Sequence, residues 1–393
     1  MKKSLLALAA IGAFAGAAQA QSSVSVYGIV DAGFATVTNT TAAGGSTTGL
    51  QSGGMASPRL GFRGVEDTGG GNKVGFVLEA ELLTANGSAN GIAAGTSVGQ
   101  QTFSTSQFFN RASYVSMTNN AWGDVKLGLS NTATYDYQIK FDPLKAANLG
   151  GFLNTSTSTT ATGLNGPAAT QQGGANRANN AISYTSPTIM GVQARFITGE
   201  AQSATGMNLV SGNVAYARVS DYGLSYTFKA LDAALSYKTV GGTAGAAATS
   251  TTGAYGSYDF KVVKPYLIYN TTANKTPGVA VQGMNYITKM AGVEAPITPV
   301  ITVAAQYTQN INGNANTAAQ SATNSAVGVM GKYAMSKRTT LYAIGAFSQN
   351  GGAGAGLTST SKFTGVTIPV KATGNTTTFQ DQAGYMVGIN HTF

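Results

Sequence analysis

The sequence predicts an all-β fold: a 16-stranded antiparallel barrel that spans a membrane. Three observations carry this. Period-2 alternation of apolar and polar residues recurs along the chain, and helical periodicity is hard to find. The alternating segments run roughly 9–12 residues, the length of a tilted strand crossing a bilayer and longer than the usual 5–6. The connections alternate between short turns and long Gly/Thr/Asn/Ala-rich loops, the layout of a transmembrane barrel with one rim of turns and one of loops.

The elements follow in order. "MKKSLLALAAIGAFAGAAQA" is expected to be a removable signal peptide, residues 1–20. Lys2 and Lys3 form its basic start, and Ala18-Gln19-Ala20 its cleavage site. Its apolar run is too short for a spanning helix, and no later stretch supplies about 18 uninterrupted apolar residues. The barrel domain is then 21–393. Strands are expected at 23–36, 57–67, 73–84, 107–118, 123–130, 177–187, 191–199, 213–228, 232–240, 253–260, 262–270, 280–294, 299–310, 324–335, 339–349 and 382–393. "SDYG" is the one place where the eighth strand could break. In "SVSVYGIVDAGF", Val24, Val26, Val30, Ala32 and Phe34 oppose Ser25, Tyr27 and Asp31. In the last segment, Tyr385, Val387, Ile389, His391 and Phe393 share a face. With 16 strands both ends fall at one rim, so the last strand closes against the first and Phe393 falls in an interfacial aromatic girdle. The 18 Tyr and 16 Phe read as girdles rather than as a track for sugars.

Composition agrees. Charged residues make up 9 % of the chain, where about 25 % is usual, and Gly numbers 52. Such a surface suits lipid better than water. There is no Cys, so an exported chain must be held by its hydrogen-bonded framework alone. Loss of Lys2 and Lys3 takes the net charge from +9 to +7. The cations are scattered singly, which argues against a nucleic-acid partner. No dedicated metal-ligand set is apparent, and no cofactor is expected. "GGGNKVG" lacks the strand-then-helix setting of a phosphate loop and reads as a hairpin turn.

Several segments resemble the general-diffusion porins of Gram-negative bacteria, the betaproteobacterial branch above all. These are "SSVSVYGIVDAGF", "SPRLGFRGVEDTGGGNKVGFVLEAEL", "FFNRASYVSMTNNAWGDVKLGLS", "RANNAISYTSPTIMGVQARFITGE" and "MVGINHTF". The resemblance covers both ends and most of the first half. It implies an outer-membrane homotrimer of water-filled channels for small hydrophilic solutes and ions. It also implies a third loop, here 131–176, folded into each pore, and a terminal Phe393 read by the assembly machinery.

Pore-lining candidates follow from alternation and from the resemblance. Arg59 and Arg63 oppose Leu60 and Phe62, and a lipid-facing Arg at mid-membrane would cost about 2–4 kcal/mol, so both are expected in the lumen. The bland alternative is that they pair with carboxylates and only stiffen the wall. Arg111 shares the parity of Phe109, Val115 and Met117, so alternation is ambiguous there. The resemblance points Arg111 inward and Tyr114 outward. Leu129 stands where the family commonly carries an Arg; Arg177 and Arg195 have lumen parity and could compensate. Asp136 and Asp142, with Lys140 and Lys145 between and beyond them, start the third loop as its pore-facing charges. The balance predicts a weak preference for anions.

Three other functions fit the sequence less well. An outer-membrane enzyme needs a His beside a nucleophile or acid, and the one His, His391, has lipid-face parity. An adhesin or β-sandwich leaves the low charge, the strand length and the terminal Phe unexplained. An 18-stranded substrate-specific channel fits the loop count less well.

Overall fold

In the computed structural model, the described residues are 23–38, 46–89, 108–147, 149–155, 176–201, 218–241, 248–274, 286–312, 323–350, 371–373, 376–378 and 381–393. Among them, sixteen strands form the wall: β1 Ser23–Val37, β2 Arg59–Gly69, β3 Asn72–Leu83, β4 Ala112–Asn119, β5 Gly123–Asn131, β6 Arg177–Thr185, β7 Val192–Ala201 and β8 Arg218–Phe228. The second half comprises β9 Leu231–Val240, β10 Thr249–Tyr258, β11 Lys264–Asn274, β12 Tyr286–Pro296, β13 Ile301–Asn312, β14 Thr323–Ala334, β15 Thr339–Asn350 and β16 Gln382–Thr392. Each pairs antiparallel with the next, and β16 returns to β1 with Val30 opposite His391 and Phe34 opposite Val387. Closure leaves no strand edge in lipid, where unpaired N–H and C=O groups would cost several kcal/mol each. The expected signal peptide lies outside the described residues.

Side chains sort as the alternation requires. Val24, Val26, Val30 and Phe34 of β1, and Tyr385, Val387 and Ile389 of β16, are exposed on the outer face. Asp31 and Met386, between them in parity, are buried inside. Outward aromatics gather beside the short turns, where Tyr226 stacks on Phe228 and Tyr258 meets Phe260 at a tilt. Phe393 sits at that same rim, its backbone exchanging two hydrogen bonds with Gly28 at 3.1 and 3.2 Å.

Two expectations change. The fourth strand begins at Ala112 rather than 107, because residues 108–109 form a turn. The loop expected between the first two strands contains a short strand, Thr47–Ser52, paired with the second half of β1. Polar Thr and Gln hid it from a hydrophobic-pattern reading. The eighth strand is described as unbroken from Arg218 to Phe228, Ser220 to Gly223 included.

The packed core lies inside the barrel. The third long loop, between β5 and β6, turns inward as α1 (Ala133–Lys140) and a short α2 (Phe152–Thr155). Ala133, Tyr137, Phe141 and Phe152 pack with Tyr255, Tyr266, Ile268 and Met290 of β10 to β12. Leu144, Ala147 and Leu149 pack with Met330, Tyr342, Ile344 and Met386 of β14 to β16. The loop therefore packs along the inner wall of the second half of the barrel and against Ala35 and Val37 of β1, and a cavity remains between α1 and the facing wall. At Gly223 a Cβ would collide with Ala133 and Tyr137, so this glycine lets the helix lie against β8.

Candidate functional site

The loop is fixed at both ends. Thr132 caps α1, its hydroxyl accepting from Tyr135 N–H at 3.4 Å; Asp136 in the first turn and Lys140 in the last suit the helix dipole. Asp221 of β8 accepts from Thr134 N–H at 2.8 Å and from the Thr134 hydroxyl at 3.0 Å, which ties the helix start to the wall. Beyond α1, the Asp142 carboxylate accepts three backbone N–H groups, from Leu144 at 2.9 Å and from Ala146 and Phe152 at 2.8 Å. Gln306 of β13 donates to the Gly150 carbonyl at 2.7 Å. Burial pushes the Asp142 carboxyl up to about 6, against these three donors, which pull it down.

Between α1 and the wall from β1 to β7 lies a cavity of about 370 Å³. Arg59, Arg63, Arg111, Lys126 and Arg195 line it, against two carboxylates, Glu79 and Asp136. Glu79 is the hub on the wall. Arg111 Nε donates to Glu79 Oε1 at 2.6 Å, Arg59 Nη1 lies 3.9 Å from the same oxygen, and the Tyr27 hydroxyl donates to Oε2 at 3.0 Å. Arg111 Nη1 is also 3.9 Å from Glu81. Across the cavity, Arg195 reaches Asp136 at 2.8 Å, joining wall to loop. Lys126 lies 3.3 Å from Asp124 and over the Tyr114 ring at 5.1 Å. Arg63 is exposed to the lumen over the Tyr27 ring at 5.1 Å and pairs with no carboxylate among the described residues.

Most of the residues singled out from sequence meet here: Arg59, Arg63, Arg111, Arg195 and Asp136. Arg177 lies to one side, stacked 5.2 Å from the Tyr135 ring of α1. Asp142 does not line the cavity; it is wholly buried, because its oxygens are consumed in shaping the loop. Tyr114 points inward rather than outward. Both it and Arg111 can face the lumen because Arg111 precedes β4, where strict alternation does not hold. Sequence reasoning passed over Lys126 and Glu79. Lys126 was legible, since Asp124 and Lys126 alternate with Val125 and Leu127; Glu79 needed the register that sets it beside Ala112.

A closed wall with an apolar exterior, a charged interior and a loop folded across it defines a transmembrane channel narrowed from within. Sixteen strands leave an aqueous lumen where eight would leave only a packed one. A family profile described as Gram-negative porin matches residues 7–353, and the chain belongs to that family. Outer membrane porin protein 32 of Delftia acidovorans is 35 % identical over the full length of both chains. An outer membrane porin protein of Bordetella pertussis is 27 % identical, covering 89 % of this chain and 95 % of that one. An anion-selective porin from Comamonas acidovorans superposes with a TM-score of 0.73 at 28 % identity, over 95 % of this chain and all of the other. Salmonella typhi OmpF shares the fold alone, with a TM-score of 0.59 at 15 % identity over 94 % and 97 %. The protein is an outer-membrane channel for passive diffusion of small hydrophilic solutes and ions.

Proposed function

We propose that the channel prefers anions weakly and works without catalysis, as a homotrimer of independent pores. One observation carries the preference: five cations face two carboxylates around the cavity. In a narrow, low-dielectric passage this surplus raises the local anion concentration. The preference is weak because Arg59, Arg111 and Arg195 are each shared with a carboxylate. Arg63 supplies most of the field felt by a passing ion, since Lys126 is shared with Asp124 at 3.3 Å; Arg177 holds the loop helix, and Asp136 sets the gap. The comparison porin described as anion-selective supports the same sign. Trimerisation is supported by the family and by a comparison structure described as a trimer form. Catalysis is disfavoured by the setting of His391, which is exposed on the outer face with Thr339 3.0 Å from Nδ1. Residues 1–20 act as the export signal and Phe393 as the assembly signal.

The test is the zero-current potential of the purified protein in a planar bilayer under a tenfold KCl gradient. The sign for chloride over potassium is expected. A potential of the cation sign would overturn the preference and leave the channel itself standing.

A further inference from the structure

A second charged cluster lies inside the barrel, next to the rim of short turns. Four ammonium groups converge there from four elements. Lys140 closes α1, Lys145 follows it, Lys264 opens β11, and Lys332 lies two residues before the end of β14. Lys140 Nζ is 3.0 Å from Asp232 Oδ1, and Lys264 Nζ is 3.8 Å from Asp232 Oδ2. Lys332 Nζ is 3.1 Å from Glu294, which stands opposite Lys264 across β11 and β12. The Tyr266 ring lies between two cations, Lys145 at 5.1 Å and Lys264 at 5.4 Å from its centroid.

The charges do not balance. Four ammoniums share Asp232 and Glu294. Asp142 is close to Lys145, but it is wholly buried and filled by backbone N–H groups. Asp259 is held by Lys261 on its own turn at 3.3 Å. The loop also accepts backbone strain to place Lys145, since Lys145 and Ala146 both have left-handed φ, 54° and 61°. Strain in non-glycine residues persists where the surroundings enforce it, and it clusters at ligand sites.

We infer that this cluster is a second anion station, which binds small oxyanions carrying two or more negative charges as they leave or enter the constriction. The two stations share α1: Asp136 meets Arg195 in the constriction and Lys140 meets Asp232 here, four residues or about 6 Å apart along the helix. Conduction favours several modest sites over one tight one, because an ion must leave as readily as it enters. A multivalent anion bridging Lys145, Lys264 and Lys332 would relieve their mutual repulsion, which chloride does less well.

The inference rests on the open, anion-preferring pore proposed above, and the experiment separates the two. Tripolyphosphate is added to one side of a bilayer at a time, in symmetrical KCl, and current block is recorded. One side is expected to block about tenfold more strongly than the other. The K264Q/K332Q variant should remove that difference and leave block from the weaker side unchanged. D232N, which releases Lys140 and Lys264 from their carboxylate, should strengthen block from the same side. Conductance and the potential in a KCl gradient report the pore independently of the station. Equal block from both sides of wild type, or an undiminished asymmetry in K264Q/K332Q, overturns the station. Should the double variant fail to assemble, the D232N result decides, since weaker or unchanged block there is equally fatal.

Discussion

Removing the Asp142 carboxylate should loosen the loop that narrows the pore. In Asp142→Ala, three buried N–H groups, from Leu144, Ala146 and Phe152, lose their acceptor. A buried amide left unpaired costs about 1–3 kcal/mol, so three at a middling value cost ~6 kcal/mol. Part returns, because burial has raised the carboxyl from 3.8 to about 6. At about 1.4 kcal/mol per unit, this net rise, in which the three N–H groups already offset part of the burial, corresponds to ~3 kcal/mol that the variant recovers. The net is ~3 kcal/mol against the inward loop, or about a hundredfold in the population of displaced loops. Single-channel recording should show larger mean conductance and far more open-channel noise. The pH dependence has a fixed sign. A carboxyl whose pKa is raised in the folded loop stabilises it fully below pH ~3.8 and loses that contribution as pH rises to about 6. Wild-type noise should therefore fall between pH 7 and pH 5, and Asp142→Ala should lose that dependence. Traces that match wild type in amplitude and noise at both pH values would refute the reasoning.

Other expectations follow from single contacts. Arg111→Ala leaves the half-buried Glu79 with Arg59 at 3.9 Å as its nearest cation. Breaking a fully buried pair costs about 3–5 kcal/mol and a half-buried one less, so the temperature at which the folded band disappears on a gel should drop by a few degrees. Arg63→Gln should move the zero-current potential toward zero and leave that temperature unchanged, because Arg63 is exposed and carries no carboxylate partner among the described residues. The anion preference should shrink between 0.1 M and 1 M salt, as the screening length falls from about 10 to about 3 Å. Gly128→Ala should not assemble: its φ is 133° and a Cβ would strike the Ser113 carbonyl oxygen of the neighbouring strand, so heat-modifiable protein should be lost from membranes.

The wall was legible because lipid outside and water inside impose alternation on every strand. The inward placement of Arg59 and Arg63 followed from the same rule. Features outside regular strands escaped it. Arg111 sits one residue before β4, and the ladder of β5 shifts register between Gly128 and Ser130, so parity counted across either point misleads. Asp142 looked like a pore charge because sequence shows the charge and not the three N–H groups waiting for it. Asp31 was assigned to the inner face, but nothing local marks its role. It accepts from Gly54, Met55 and Ala56 N–H, the Tyr342 hydroxyl and the Asn390 amide, which joins the first loop to β1, β15 and β16 beside the closing seam. Those partners lie up to 359 residues away, beyond the reach of any pattern along the chain.

The central claim is an open aqueous pore through a barrel narrowed by its own loop. Conductance of single insertions into a planar bilayer tests it most directly. The account predicts discrete, long-lived, ohmic steps, in groups of three for the proposed trimer. Silence from protein that still shows the folded, heat-modifiable band would contradict it, because a correctly closed barrel would then be plugged.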